Sequence, residues 1–188
     1  MNNSAVKSVE NSKMTIKAKT LALVAALVAA VALPQLFHAL GAVSGLGTAL
    51  GEAFLPMHLP VIIVGIIAGP AVGAVTGLCA PLISFAISGM PSAVVLPFMM
   101  VELCFYGLAS GVLTKVKMPV ILKVVLAQVI GRLARMAAIF AAITFFDSTS
   151  LTVSSVWTAV LTGLPGIILQ LVLIPLLVFW WKNRRQNG

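Results

Sequence analysis

At 188 residues, with 61% hydrophobic and 9% charged side chains, the chain is not a soluble domain of ordinary composition, because apolar runs long enough to cross a bilayer recur from end to end. It has room for about six spans of roughly 20 residues each and for no separate soluble domain. The formal net charge of +8 would suit nucleic acid, but the cations stand as short flanks of apolar runs; this pattern excludes a nucleic-acid partner and points to membrane topology with anionic lipid as a contact.

Residues 1–19 form a polar tail with Lys7, Lys13, Lys17 and Lys19. The apolar run that follows exceeds the roughly 7–15 residues of a secretory signal core, so Thr20 to about Leu40 is read as a first span. Within it Ala22, Ala26 and Ala30 form one small-residue ridge and Ala25 and Ala29 an adjoining one. Such ridges serve either internal packing or the docking of another membrane protein. Gly41 to Met57, rich in glycine and carrying Glu52, reads as a long loop dipping into the protein. His58 to Ser88 is too long for one span, and Gly69-Pro70 divides it: proline costs no hydrogen bond in the first helical turn, and the residue before it is biased away from helix. Gly65, Gly69, Gly73 and Gly77 recur at every fourth position, giving each of the two short spans a small-xxx-small face.

After the loop SGMPSA, Val94 to Leu113 is a fourth span, LTKVKMP a basic loop and Val120 to Phe146 a fifth span. DSTS is a short loop, and Val153 to Trp181 a sixth span interrupted by Gly163, Pro165, Gly166 and Pro175. The expected fold is therefore an all-α membrane protein: a six-helix bundle over residues 20–181, with cytoplasmic basic tails at 1–19 and 182–188. With both termini cytoplasmic, ten of the twelve Lys and Arg residues fall on one side, while Glu52 and Asp147 fall on the other, as the positive-inside rule asks. Trp180 and Trp181 anchor the last span at the interface. Cys79 and Cys104 lie inside apolar runs and read as small buried hydrophobes.

No GxSG-type serine, HExxH, paired carboxylates or GxxxxGK[ST] occurs, so no catalytic residue, metal site or cofactor is assigned to this chain. The functional clues are instead intramembrane polar residues, each costly in hydrocarbon unless it faces a partner or a wet cavity. Glu102 lies about nine residues, or roughly 13 Å, into the fourth span, and Arg132 roughly 20 Å deep in the fifth. These depths let Glu102 pair with Arg132 or Arg135, or let one or both groups meet a ligand. Gln128, Arg132 and Arg135 occupy i, i+4 and i+7 and so share one face, expected to look inward. His58 is either an interface residue or a ligand contact, and His38 an interfacial one. Tyr106 and Trp157 serve as packing or stack on a flat ligand. Gln170 meets either a ligand or helix backbone freed near Pro165.

The run from Leu55 to Lys115, LPMHLPVIIVGIIAGPAVGAVTGLCAPLISFAISGMPSAVVLPFMMVELCFYGLASGVLTK, carries MHxPV, a glycine-spaced GP turn, GMP and a later EL…YG…G. It resembles the substrate-binding S components of energy-coupling factor (ECF) vitamin transporters. The resemblance implies a subunit of the bacterial cell membrane that captures a water-soluble vitamin or precursor from outside with high affinity. Such a subunit docks on a transmembrane coupling subunit driven by two cytoplasmic ATPases, which use the ATP and magnesium. It further implies docking through Ala22, Ala25, Ala26, Ala29 and Ala30, and a loop with Met90 and Pro91 that helps close the pocket. On this basis the site falls among Glu52, His58, Met90, Glu102, Gln128, Arg132, Arg135 and Trp157. Two intramembrane arginines suit an anionic ligand, with pantothenate the first choice and pyridoxine-like compounds, hydroxymethylpyrimidine and cobalamin open. The competing classes are a self-sufficient secondary carrier or small channel, which would move solute alone in liposomes, and a structural membrane subunit, which would bind nothing.

Overall fold

The computed structural model describes residues 14–146, 152 and 154–187; most of the N-terminal tail, Asp147 and the DSTS loop lie outside the described residues. The helices are α1 (Ile16–Ser44), α2 (Ala49–Phe54), α3 (His58–Ala68), α4 (Pro70–Ser88), α5 (Leu96–Val112), α6 (Val120–Phe146), α7 (Ser154–Thr162) and α8 (Leu164–Asn187). A 3-10 turn, Leu113–Lys115, extends α5, and no strand occurs among the described residues. Among the described residues, six stretches are long and apolar enough to cross a membrane: α1, α2 with α3, α4, α5 with its turn, α6 and α8.

Local chemistry sets most of the helix ends. Thr15 caps α1, its hydroxyl accepting from the Ala18 amide at 3.3 Å, so the first span begins at Ile16 rather than Thr20. Gly69 has φ 101°, a conformation that side chains disfavour, and Pro70 then opens α4 with its ring at a position where no amide hydrogen is needed. The expected turn between two short spans is therefore present at Gly69-Pro70. The expected loop from Gly41 to Met57 is largely helical instead: α1 continues to Ser44, and α2 occupies six of the remaining residues. The sixth span is likewise two helices, broken at Gly163, with only α8 long enough to cross.

Successive spans reverse direction. One end of the bundle therefore gathers the start of α1, the Gly69-Pro70 turn, the α5–α6 connection and the end of α8, with Lys17, Lys19, Lys115, Lys117, Lys123, Lys182 and Arg184. The Arg184 guanidinium lies 4.6 Å over the Trp180 ring there, a cation–π contact that holds a cation beside an interfacial aromatic. The other end carries α2, the Met90-Pro91 loop and the start of α7.

The exterior is apolar, with Leu21, Val28, Ile87, Phe140 and Phe179 among the exposed side chains. Lipid is as apolar as these residues, so helix association must come from close packing and from interhelical polar contacts. The glycines supply the first. A Cβ at Gly73 would stand 2.5 Å from the Gly107 carbonyl oxygen, and one at Gly107 would run into the Gly73 backbone. Gly77 meets the Leu103 backbone in the same way, and Gly111 meets Pro70, so α4 and α5 touch backbone to backbone along a seam. Around it pack Val61, Ile62, Ala80, Leu103, Val124 and Ile174, all fully buried.

The two alanine ridges of α1 separate. Ala26 is 8% exposed and packs beside Val64 and Ala68 of α3, with Ala22 partly buried next to them, and Ala30 is fully buried in the main core. Of the five alanines expected to dock a partner, Ala26 and Ala30 are thus packed inside the bundle. Ala25 is exposed and Ala29 half-buried, so only the adjoining ridge looks outward.

Gly107→Ala should lower stability by about 1–3 kcal/mol, the usual cost of forcing added volume into a filled contact. Thermal unfolding of the purified protein checks this; an unchanged transition would mean that the seam yields without cost.

Candidate functional site

α5 carries Glu102 and Tyr106 one turn apart, and α6 carries Arg132 and Arg135 nearly one turn apart. The two helices approach closely because Gly131 has no side chain: a Cβ there would run into the Tyr106 ring and stand 2.8 Å from the Glu102 carbonyl oxygen. Across this contact Arg132 Nη1 lies 2.8 Å from Glu102 Oε1, and Arg135 Nη1 2.9 Å from Oε2. The Tyr106 hydroxyl donates to Oε1 at 2.7 Å. Glu102 is fully buried, and three donors satisfy its carboxylate where water cannot. Both candidate pairings of the sequence thus occur together.

Two guanidiniums against one carboxylate leave a surplus positive charge at this point. Unused hydrogen-bonding capacity accompanies it: Arg135 Nε and both ring nitrogens of His58 are buried without a hydrogen-bond partner. His58 opens α3, is 4% exposed and packs its ring against Tyr106 at 5.3 Å between centroids.

These groups line a cavity of about 720 Å³ at the end of the bundle opposite the lysines. Its walls come from α1 through Pro34 and His38, from α2 and the residues after it through Glu52 and Met57, and from the connection carrying Met90 and Pro91. Glu102, Arg132 and Arg135 lie within it, and α7 closes one side with Ser155 and Thr158. Glu52 is held by Thr48, whose hydroxyl donates to its carboxylate at 3.0 Å. A volume of this order suits a small-molecule ligand.

The structure thus brings together Glu52, His58, Met90, Glu102, Arg132 and Arg135, and does not bring Gln128 or Trp157 to the cavity wall. The Gln128 amide donates to Gln170 Oε1 at 2.8 Å, and Gln170 in turn donates to the Leu55 carbonyl at 3.3 Å. This chain ties α6 and α8 to the α2–α3 joint, where Leu55 has φ 48°. The Gln170 side chain is thus taken up by Gln128 and the Leu55 carbonyl. Trp157 is 66% exposed, because α7 turns its hydroxyl-bearing face to the cavity and Trp157 away from it. His38, expected at the interface, lines the cavity and packs against Gly51, where a Cβ would lie 3.2 Å from its ring. Sequence reading missed Ser155 and Thr158; their signal was the recurrence of hydroxyls on one face of an otherwise apolar segment.

The family model for the ECF transporter substrate-specific component matches residues 19–178. The chain belongs to this family: it is a substrate-binding subunit of an ECF importer, a multi-pass membrane protein that associates with the partners of an ECF module and is not itself an enzyme. Searches of curated proteins and of solved structures return no match.

Because Arg135 still neutralises Glu102 when Arg132 is lost, Arg132→Gln should leave a folded protein with a modest loss of stability. Glu102→Gln leaves two unneutralised guanidiniums and should cost about 3–5 kcal/mol. Adding Arg132→Gln to it should recover part of the loss, a coupling read by thermal unfolding of both single variants and the double variant.

Proposed function

We propose that this subunit captures a small water-soluble monocarboxylate vitamin, with pantothenate the best fit, from the outer side of a bacterial cell membrane. The observation that carries the reading is the convergence of Arg132 and Arg135 on one buried carboxylate, Glu102, at the cavity wall, whereas the cavity's second carboxylate, Glu52, is exposed and accepts from Thr48. An uncompensated charge is costly away from water, and a ligand carboxylate answers it with charge-assisted hydrogen bonds in the planar geometry that guanidinium favours. Hydroxymethylpyrimidine and pyridoxine carry no anionic group for this purpose. The lysine-rich end supports cytoplasmic termini, which turns the cavity outward. Transport then draws on ATP and magnesium in two partner ATPases, and a coupling subunit docks on the outward α1 ridge at Ala25 and Ala29.

Native mass spectrometry of gently purified protein should find pantothenate retained or bound on addition. Arg132→Gln should weaken that binding by about 2–5 kcal/mol while the fold persists. Retention of pyridoxine, hydroxymethylpyrimidine or cobalamin instead would overturn the carboxylate reading.

For docking, Ala25→Trp should weaken co-purification with the coupling subunit while the isolated protein still binds its ligand. Ala30→Trp, in the core, should lower stability and ligand binding together. If Ala25→Trp assembles normally, the partner docks elsewhere.

A further inference from the structure

α7 faces the cavity with Ser154, Ser155, Thr158, Ala159 and Thr162, positions i, i+1, i+4, i+5 and i+8 that share one helix face. Four of the five carry a hydroxyl, whereas Trp157 and Leu161, which do not line the cavity, are exposed and apolar. The hydroxyl face of this helix borders the cavity, with Ser154, Thr158 and Thr162 solvent-accessible and Val156 buried. Two of its hydroxyls have little to bond within the chain. Ser155 Oγ is buried without a partner, and Thr158 Oγ1 reaches only the Ser154 carbonyl at 3.4 Å, the weak limit of such a bond. Ser154, by contrast, is engaged with Thr152 at 2.7 Å. The same cavity also has an apolar lining from Pro34, Met57, Val95 and Met99.

We infer that α7 is a substrate-selecting wall, on which Ser155 and Thr158 hydrogen-bond the hydroxyl or amide groups of a carboxylate ligand whose charged end meets Arg132 and Arg135. The inference rests on the carboxylate reading above and deepens it: the substrate class becomes a carboxylate bearing hydroxyl or amide groups away from its charge. A hydroxyl both donates and accepts, so a ligand hydroxyl satisfies Ser155 and Thr158 whichever way each is turned. An apolar carboxylate of the same length would neutralise the arginines but leave these groups unpaired, and a polar wall rejects such a ligand strongly.

The test is calorimetric titration of the detergent-purified full chain with two probes, pantothenate and its analogue lacking both hydroxyls. The native protein should prefer pantothenate by about ten- to a hundredfold, the equivalent of one or two hydrogen bonds. The Ser155→Ala/Thr158→Val protein should bind the two probes nearly equally, with pantothenate weakened and the analogue bound as tightly as before or tighter. Arg135→Gln should weaken both probes in parallel. Should the double variant unfold, the isosteric Thr158→Val alone, at an exposed position, should still narrow the preference. An undiminished preference in the hydroxyl-deleted variants overturns the selecting role of α7 and leaves the carboxylate reading intact. Equal binding of both probes by the native protein does the same. Failure of the native protein to bind either probe overturns the carboxylate reading and the inference with it.

Discussion

A fully buried carboxylate in a membrane-spanning helix is the constraint to which the rest of this molecule answers. Glu102 has no water to solvate it and accepts instead from Arg132, Arg135 and Tyr106. Each guanidinium would be as costly alone as the carboxylate, so α5 and α6 can bury these charges only in one another's presence. The interaction is therefore less a source of stability than a condition of assembly. It fixes the rotation of α6 toward α5, and this in turn brings both arginines to the cavity beneath α2 and α7.

That clamp depends on backbone geometry laid down by residues with no side chain. Along α5, Gly111, Gly107 and Leu103 meet Pro70, Gly73 and Gly77 of α4, while Glu102 and Tyr106 turn to α6 at Gly131. Farther along, Val95 and Met99 line the cavity. The contacts of α5 thus pass from bare backbone near the lysine-rich end to side chains around a cavity at the other. Because hydrocarbon offers no hydrophobic gain for helix association, the tight half carries much of the packing that lets the open half stay open.

The long elements were legible in the sequence because hydrophobic runs, Gly69-Pro70 and the flanking lysines report directly on bilayer thickness, backbone conformation and topology. The Glu102 pairings were legible from depth alone. Rotation was not. Gln128 does share a face with Arg132 and Arg135, but its partner Gln170 is 42 residues away and on another span, a relation no local spacing encodes. The interruption at Gly163 is legible in the sequence, but the phase of the short helix α7 before it is not, so the outward turn of Trp157 is not legible either. The alanine ridges were equally visible as small faces, yet only the position of α3 decides that Ala26 and Ala30 turn in and Ala25 turns out. α2 escaped because glycines blur its period, and its single Glu resembles a loop charge until Thr48 is seen to hold it.

On the carboxylate reading proposed above, the unequal count of charges on Glu102, Arg132 and Arg135 would join folding to capture. A one-to-one pair would be self-satisfied in the membrane and would give an anion no reason to enter. Two guanidiniums on one carboxylate retain attraction for an anion in the ligand-free site, and Arg135 Nε and the His58 ring nitrogens have hydrogen-bonding capacity that no protein group takes up. On the carboxylate reading, a ligand that enters would supply the missing charge, and binding and stability would rise together by mass action. Tyr106 and Glu102 keep the arginines in place while the site is empty, and the glycine seam holds α4 against α5 without drawing on the charged groups at all. The polar residues can therefore be arranged for a ligand because the packing that opposes their cost lies elsewhere along the same helix.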